Sequence, residues 1–154
     1  MNLGQLLTPD QILPEMQSSG HEEAIEELVL HLESKDQLGV SSEDVLERLY
    51  AREREVSTGV GSGVAIPHAF LPDLEQVVTA FGRSREGIDF AAIDNAPVYF
   101  VVLFMVPKTE YHLHLRTLAA IAKMFNSQSI REELQGANTE QHILEILSQR
   151  PART

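Results

Sequence analysis

The chain has 154 residues and a formal charge of −11, with 12 Lys and Arg against 23 Asp and Glu; that length suits one domain, 1–154, and 43% hydrophobic residues argue for a folded core. Its basic residues are scattered, so nucleic-acid phosphates and anionic lipid are poor partners, whereas a basic protein can be steered to it. There is no cysteine, which removes disulfides, thiolate chemistry and zinc–cysteine sites and fits a reducing cytoplasm.

Residues 1–10 read as a lead-in that lacks a secretory signal and ends in the turn Thr8-Pro9-Asp10. Residues 12–16 predict a short edge strand, because Pro14 cannot donate inside a central ladder. Ser19 and Glu22 have capping-box spacing before a helical face of Ile25, Leu28, Val29 and Leu32. His21 and His31 are expected on the solvent side of that helix. Residues 41–44 open a second helix with Val45, Leu46, Leu49 and Tyr50 as its stripe, fading near Arg52 and Glu55.

Next comes Ser57-Thr58-Gly59-Val60-Gly61-Ser62-Gly63-Val64-Ala65-Ile66-Pro67-His68. The glycines allow a sharp turn and a close approach of backbone. Val64-Ala65-Ile66 suits a buried strand, and Pro67 stops it for want of an N–H. His68 is therefore expected where a buried strand ends, on a rigid scaffold and within reach of solvent. A neutral imidazole there can act as a nucleophile or take a proton.

Residues 76–82 predict a further strand, and 86–97 a loop rich in turn residues. Residues 98–106 are apolar on both alternating faces, the pattern of a central strand covered on both sides, and are too short to span a bilayer. Such a strand implies a three-layer α/β/α sandwich with a mixed, mostly buried β-sheet. Helices are expected over 112–125 and 128–134, and another after the capping-box spacing of Asn138 and Gln141. His112 and His114 point about 200° apart on the first of these. His114 shares its face with Leu118, Ile121, Ala122 and Phe125 and is directed inward; His112 lies with Arg116 and Lys123 on the polar side. His142 reads as a solvated helix residue.

Arg52-Glu53 followed by the run from Ser57 to His68 resembles the active-site segment of enzyme IIA domains, fructose/mannitol class, of the phosphoenolpyruvate-dependent sugar phosphotransferase system. Three further stretches are similar to that family. They are Ile88-x-Phe90-x-x-Ile93-Asp94-x-x-Pro97-Val98, the long strand ending in Val106-Pro107, and His114-Leu115-Arg116-Thr117-Leu118. A departure is Val56, where relatives often carry glycine. The resemblance implies that His68 takes a phosphoryl group on Nε2 from HPr or a relative and passes it to a IIB domain, or signals by its phosphorylation state.

His114 and Arg52 would assist at the reacting centre. Ser57, Thr58 and the backbone of Gly59, Gly61 and Gly63 would support the phosphoryl oxygens, which need positive charge and N–H donors. Ala69, Phe70 and Leu71 are candidates for the partner surface or for core. No metal and no cofactor is required, because the donor phosphohistidine is already reactive. The stretches Ser57 to Gly61 and Ala92 to Val98, with no fused transport segment, resemble the nitrogen-regulatory type; a free-standing transport IIA is the alternative within the family. Two readings lie outside it: a regulatory binding module on the same fold that passes no phosphate, and a metal site of His68, His112 and His114. The last needs His112 in a loop.

Overall fold

The computed structural model describes residues 3–55, 58–92 and 94–149. Two short 3-10 turns, Leu3–Leu6 and Pro9–Gln11, lead into β1 (Ile12–Leu13), and two antiparallel-packed helices follow, α1 (His21–Ser34) and α2 (Ser42–Glu55). The sheet continues with β2 (Gly59–Gly61), β3 (Val64–Ala65), β4 (His68–Leu71), β5 (Val78–Ile88) and β6 (Val98–Pro107). Three helices complete the chain: α3 (Tyr111–Phe125), α4 (Gln128–Gly136) and α5 (Glu140–Leu147).

Strand order is β1-β5-β6-β3-β2, with β4 also on β6. Strand β6 is the organising strand, as its all-apolar sequence requires. Val102, Phe104 and Val106 face the layer of α3, α4 and α5, where they meet Ile121, Phe125 and Ile143. Leu103 and Met105 face α1 and α2, among Ile25, Leu28, Val45 and Leu49. Every one of these side chains is fully or almost fully buried. The expected three-layer sandwich with a mixed sheet is therefore the observed one: β5 runs antiparallel to β6, whereas β3 and β4 run parallel to it.

One edge of β6 is shared. Val64 and Ala65 pair with Phe100 and Val101; His68 to Leu71 then pair with Phe104 to Pro107. Two short strands thus lie end to end along a single long one, with Ile66-Pro67 between them. His68 accordingly begins a strand instead of ending one. Pro67 interrupts the ladder but still serves it, because its carbonyl accepts the Phe104 N–H at 3.0 Å.

Three local expectations are corrected. Helix α1 is capped by Gly20, not Ser19, without a side-chain bond; the Ser19 carbonyl instead accepts the Asp89 N–H at 2.9 Å, where the chain makes an isolated bridge to β5's continuation. Helix α5 is capped by Thr139, whose Oγ1 accepts from His142 N at 3.1 Å, in place of Asn138. Strand β5 runs on to Ile88, past the turn residues Glu86 and Gly87, because Ile88 still pairs with Val98 across a register shift.

Candidate functional site

The elements deliver four rings to one place. His68, first residue of β4, lies opposite Phe104 of β6, and their rings stack at 5.2 Å and 12°. The His114 ring comes down from the first turns of α3 to 5.0 Å from His68 and 5.6 Å from Phe104. The ring of Phe70, two residues along β4 and so on the same face of the sheet, closes the group at 4.7 Å from His114. His68 is half-buried and His114 is 8% exposed. The helical-face expectation for His114 therefore holds, and His112 is exposed on the other side of α3.

His68 Nδ1 lies 2.7 Å from the Ile66 carbonyl oxygen. That oxygen can only accept, so Nδ1 carries the proton and donates it, which leaves a lone pair on Nε2. Burial holds the His68 pKa below the usual 6.5; the Ile66 contact opposes this, and the Arg52 charge and His114 push it down further. His114 is lowered by burial first and then by Arg52. A cation is thus placed beside two imidazoles that are kept neutral. Arg52 exerts this charge from the last turn of α2, where a positive side chain also complements the helix dipole.

The remaining expected residues separate. Gly61 and Gly63, with φ of 95° and 75°, form the turn of the β2–β3 hairpin beside Tyr99 and Phe100. That is four residues of β6 from Phe104, about 13 Å of strand. They shape the hairpin and do not approach the rings. Gly59 is needed for a close approach, since a Cβ there would stand 2.8 Å from Ala92 Cβ. The Thr58 hydroxyl turns inward and donates to Glu53 Oε2 at 2.6 Å, so it is not aimed at His68. Ser57 and Val56 lie outside the described residues.

Ala69 and Leu71 are 8% and 4% exposed and belong to the core under α2; alternation along β4 turns them away from the face of His68 and Phe70. Among the described residues the exposed large apolar side chains are instead Leu30 on α1, Val60 on β2 and Leu115 on α3, the last next to His114 in sequence. Among the described residues no group of three metal-ligating side chains comes together.

Two residues of the site escaped the sequence. Phe104 is one apolar residue in a run of nine, and only strand register puts it under His68. Glu53 was legible as part of a motif but without a role; a carboxylate in the last turn of a helix, where the dipole disfavours it, was the available signal.

Comparison with known proteins bears on the family and the fold. The family model described as "Phosphoenolpyruvate-dependent sugar phosphotransferase system, EIIA 2" matches residues 5–150. A nitrogen regulatory protein of Bradyrhizobium diazoefficiens is 35% identical over 99% of this chain and 98% of its own. The fructose-specific EIIABC component of Bacillus subtilis is 31% identical over 97% of this chain and 23% of its own length. The crystal structure of nitrogen regulatory protein IIA-Ntr from Neisseria meningitidis superposes with a TM-score of 0.87 at 36% identity, covering 95% of this chain and 99% of that one. On fold and sequence together, the chain belongs to the EIIA type-2 family of the phosphoenolpyruvate-dependent sugar phosphotransferase system, whose domains take part in phosphoryl transfer.

Proposed function

We propose that this protein is a phosphohistidine carrier of the nitrogen-regulatory type, working in the cytoplasm and loaded by an HPr-like phosphoprotein. The observation that carries this reading is the His68 ring itself. Its Nδ1–H is engaged by a carbonyl at 2.7 Å, and its pKa is held down, so Nε2 stays a nucleophile at neutral pH. In the transfer the donor's N–P bond breaks while a bond forms from Nε2 of His68 to the same phosphorus, and the donor imidazole leaves with its electron pair. Negative charge on the three equatorial oxygens is met by Arg52 and by His114. The group must leave again toward a target, and two neutral rings with one shared cation hold it less tightly than a cluster of cations would. Phe70, packed on His114, and exposed Leu115, the next residue of α3, provide apolar surface by the rings on which a donor and a target can dock in turn.

The regulatory assignment rests on the identity of 35–36% to nitrogen regulatory proteins. The 31% identity to a fructose-specific component supports a second reading, in which the phosphoryl group passes to a IIB domain and on to a sugar.

Incubation with phosphoenolpyruvate, enzyme I and HPr tests the first step. The protein should acquire acid-labile, base-stable phosphate, and His68→Ala should acquire none. Label that persists in His68→Ala overturns the assignment of the acceptor. Addition of a fructose-type IIB domain then separates the two readings, because a transport protein hands over its label and a purely regulatory one keeps it.

A further inference from the structure

The buried carboxylate of Glu53 sits one residue from Arg52 and faces away from it, into the start of the glycine segment. It is 4% exposed and is met by three donor atoms of described neighbours. Thr58 N donates to both oxygens at 3.2 Å, Thr58 Oγ1 donates to Oε2 at 2.6 Å, and His21 Nδ1 lies 3.3 Å from Oε1. The His21 ring is steadied in turn by an edge contact with Phe90 at 5.9 Å. On its far side Thr58 is joined to the reacting centre. Its carbonyl accepts the Ile66 N–H at 2.9 Å, and the Ile66 carbonyl accepts the His68 Nδ1–H at 2.7 Å.

We propose that Glu53 and Thr58 are positioning residues for His68. They act along the continuous path Glu53–Thr58–Ile66–His68, which fixes the ring's tautomer and its rotation on Phe104. This rests on the reading of His68 as the phosphoryl acceptor. Thr58 and Ile66 each take part through both of their peptide groups, the N–H on one side of Cα and the carbonyl on the other, so holding one group fixes the backbone that aims the next. The carboxylate holds the Thr58 N–H and hydroxyl, which fixes where the Thr58 carbonyl meets the Ile66 N–H, and that contact steadies the Ile66 carbonyl on Nδ1–H. Ile66 lies in the gap between β3 and β4, with its N–H on the Thr58 carbonyl on one side and the Pro67 carbonyl taking the Phe104 N–H at 3.0 Å on the other. The Ile66 carbonyl is therefore oriented from the Thr58 side as well as from β6. Glu53 occupies a position where a helix prefers a cation, and three donors offset that cost. Because Glu53 and Arg52 are adjacent on α2, anchoring the first also sets the direction in which the second leaves the helix.

The test uses the full chain and two readouts. The first is the 15N signal of the His68 ring, which reports the tautomer without any donor. The second is the single-turnover rate and half-saturation for phospho-HPr. Thr58→Val removes the hydroxyl link at nearly constant volume, Glu53→Gln removes the charge but keeps one acceptor oxygen, and Thr58→Ser restores the hydroxyl. In Thr58→Val and Glu53→Gln the rate should fall about 10-fold, the scale of a lost buried hydrogen bond to a charged group, with half-saturation unchanged. Both should also gain a fraction of the Nε2–H tautomer, and Thr58→Ser should recover both properties. A folded Thr58→Val protein with wild-type tautomer and rate overturns the proposal. So does a slower protein whose tautomer has not moved, since that marks a merely structural role. Should Thr58→Val not fold, Glu53→Gln is judged by the same two readouts. If the wild type takes no label on His68, the carrier reading falls, and the tautomer shift alone decides whether the path exists.

Discussion

Arg52 and Arg83 are two arginines of the same molecule with opposite fates. Arg83 lies in β5 opposite Phe100 and is wholly buried. Its guanidinium donates to the carbonyls of Pro14 at 2.9 Å, Leu134 at 2.7 Å and Ala137, so it ties β1, β5 and the end of α4 together. Burial pushes its pKa down, yet a guanidinium stays charged. Arg52 lies half-buried in the last turn of α2, and its charge depresses the pKa values of His68 and His114. One cation is consumed by the helix and strand ends it caps; the charge of the other acts on two titratable rings. What separates the two arginines is what the fold surrounds them with, backbone carbonyl acceptors in one case and titratable rings that feel the charge in the other.

Substitution can break this contrast in either direction. The largest effect on stability is expected from Arg83→Met, which leaves buried carbonyls without donors and should cost about 4 kcal/mol in urea unfolding. The rate of phosphoryl acceptance per folded molecule should hardly move. Arg52→Gln should do the reverse: acceptance from phospho-HPr slowed about 100-fold, as for loss of a charge that stabilises a transferring group, with stability changed by less than about 1 kcal/mol. His114→Ala comes next, slowing transfer about 10-fold while label still appears on His68. Equal losses of rate in the Arg52 and Arg83 variants would erase the distinction.

The smallest effect is a shift with pH. Both histidines have folded-state pKa values below the usual 6.5. The unfolded chain therefore binds protons first as pH falls, and the stability these neutral rings supply is complete above about 6.5 and is lost as pH drops toward the folded values. Urea midpoints at pH 7.5 and 5.5 should differ less in His68→Gln than in the wild type. Removing the Arg52 charge should raise both histidine pKa values in an NMR titration, whereas Arg83→Met should leave them in place.

Much of the architecture was legible because it is written in periodicity. The run of nine apolar residues in β6, the stripe on α2 and the inward face of α3 each need only local spacing to be read. What misled was local chemistry whose partners lie elsewhere. Ser19 looked like a cap, but its carbonyl serves Asp89; Gly87 looked like a turn, but Val98 holds Ile88 in the sheet. The glycines suggested a cradle for anions, and they instead make a hairpin at the far end of β6.

Residue order alone determined that His68 follows an apolar strand and a proline, that His114 faces inward from its helix, and that Arg52 ends the helix before them. Folding decided the rest. Register along β6 put Phe104 beneath one imidazole, the gap between β3 and β4 turned the Ile66 carbonyl onto its Nδ1, and burial set the charge of both rings. The physical reason is range: side-chain periodicity is a property of a few consecutive residues, whereas hydrogen-bond partners and desolvation are properties of segments distant in sequence.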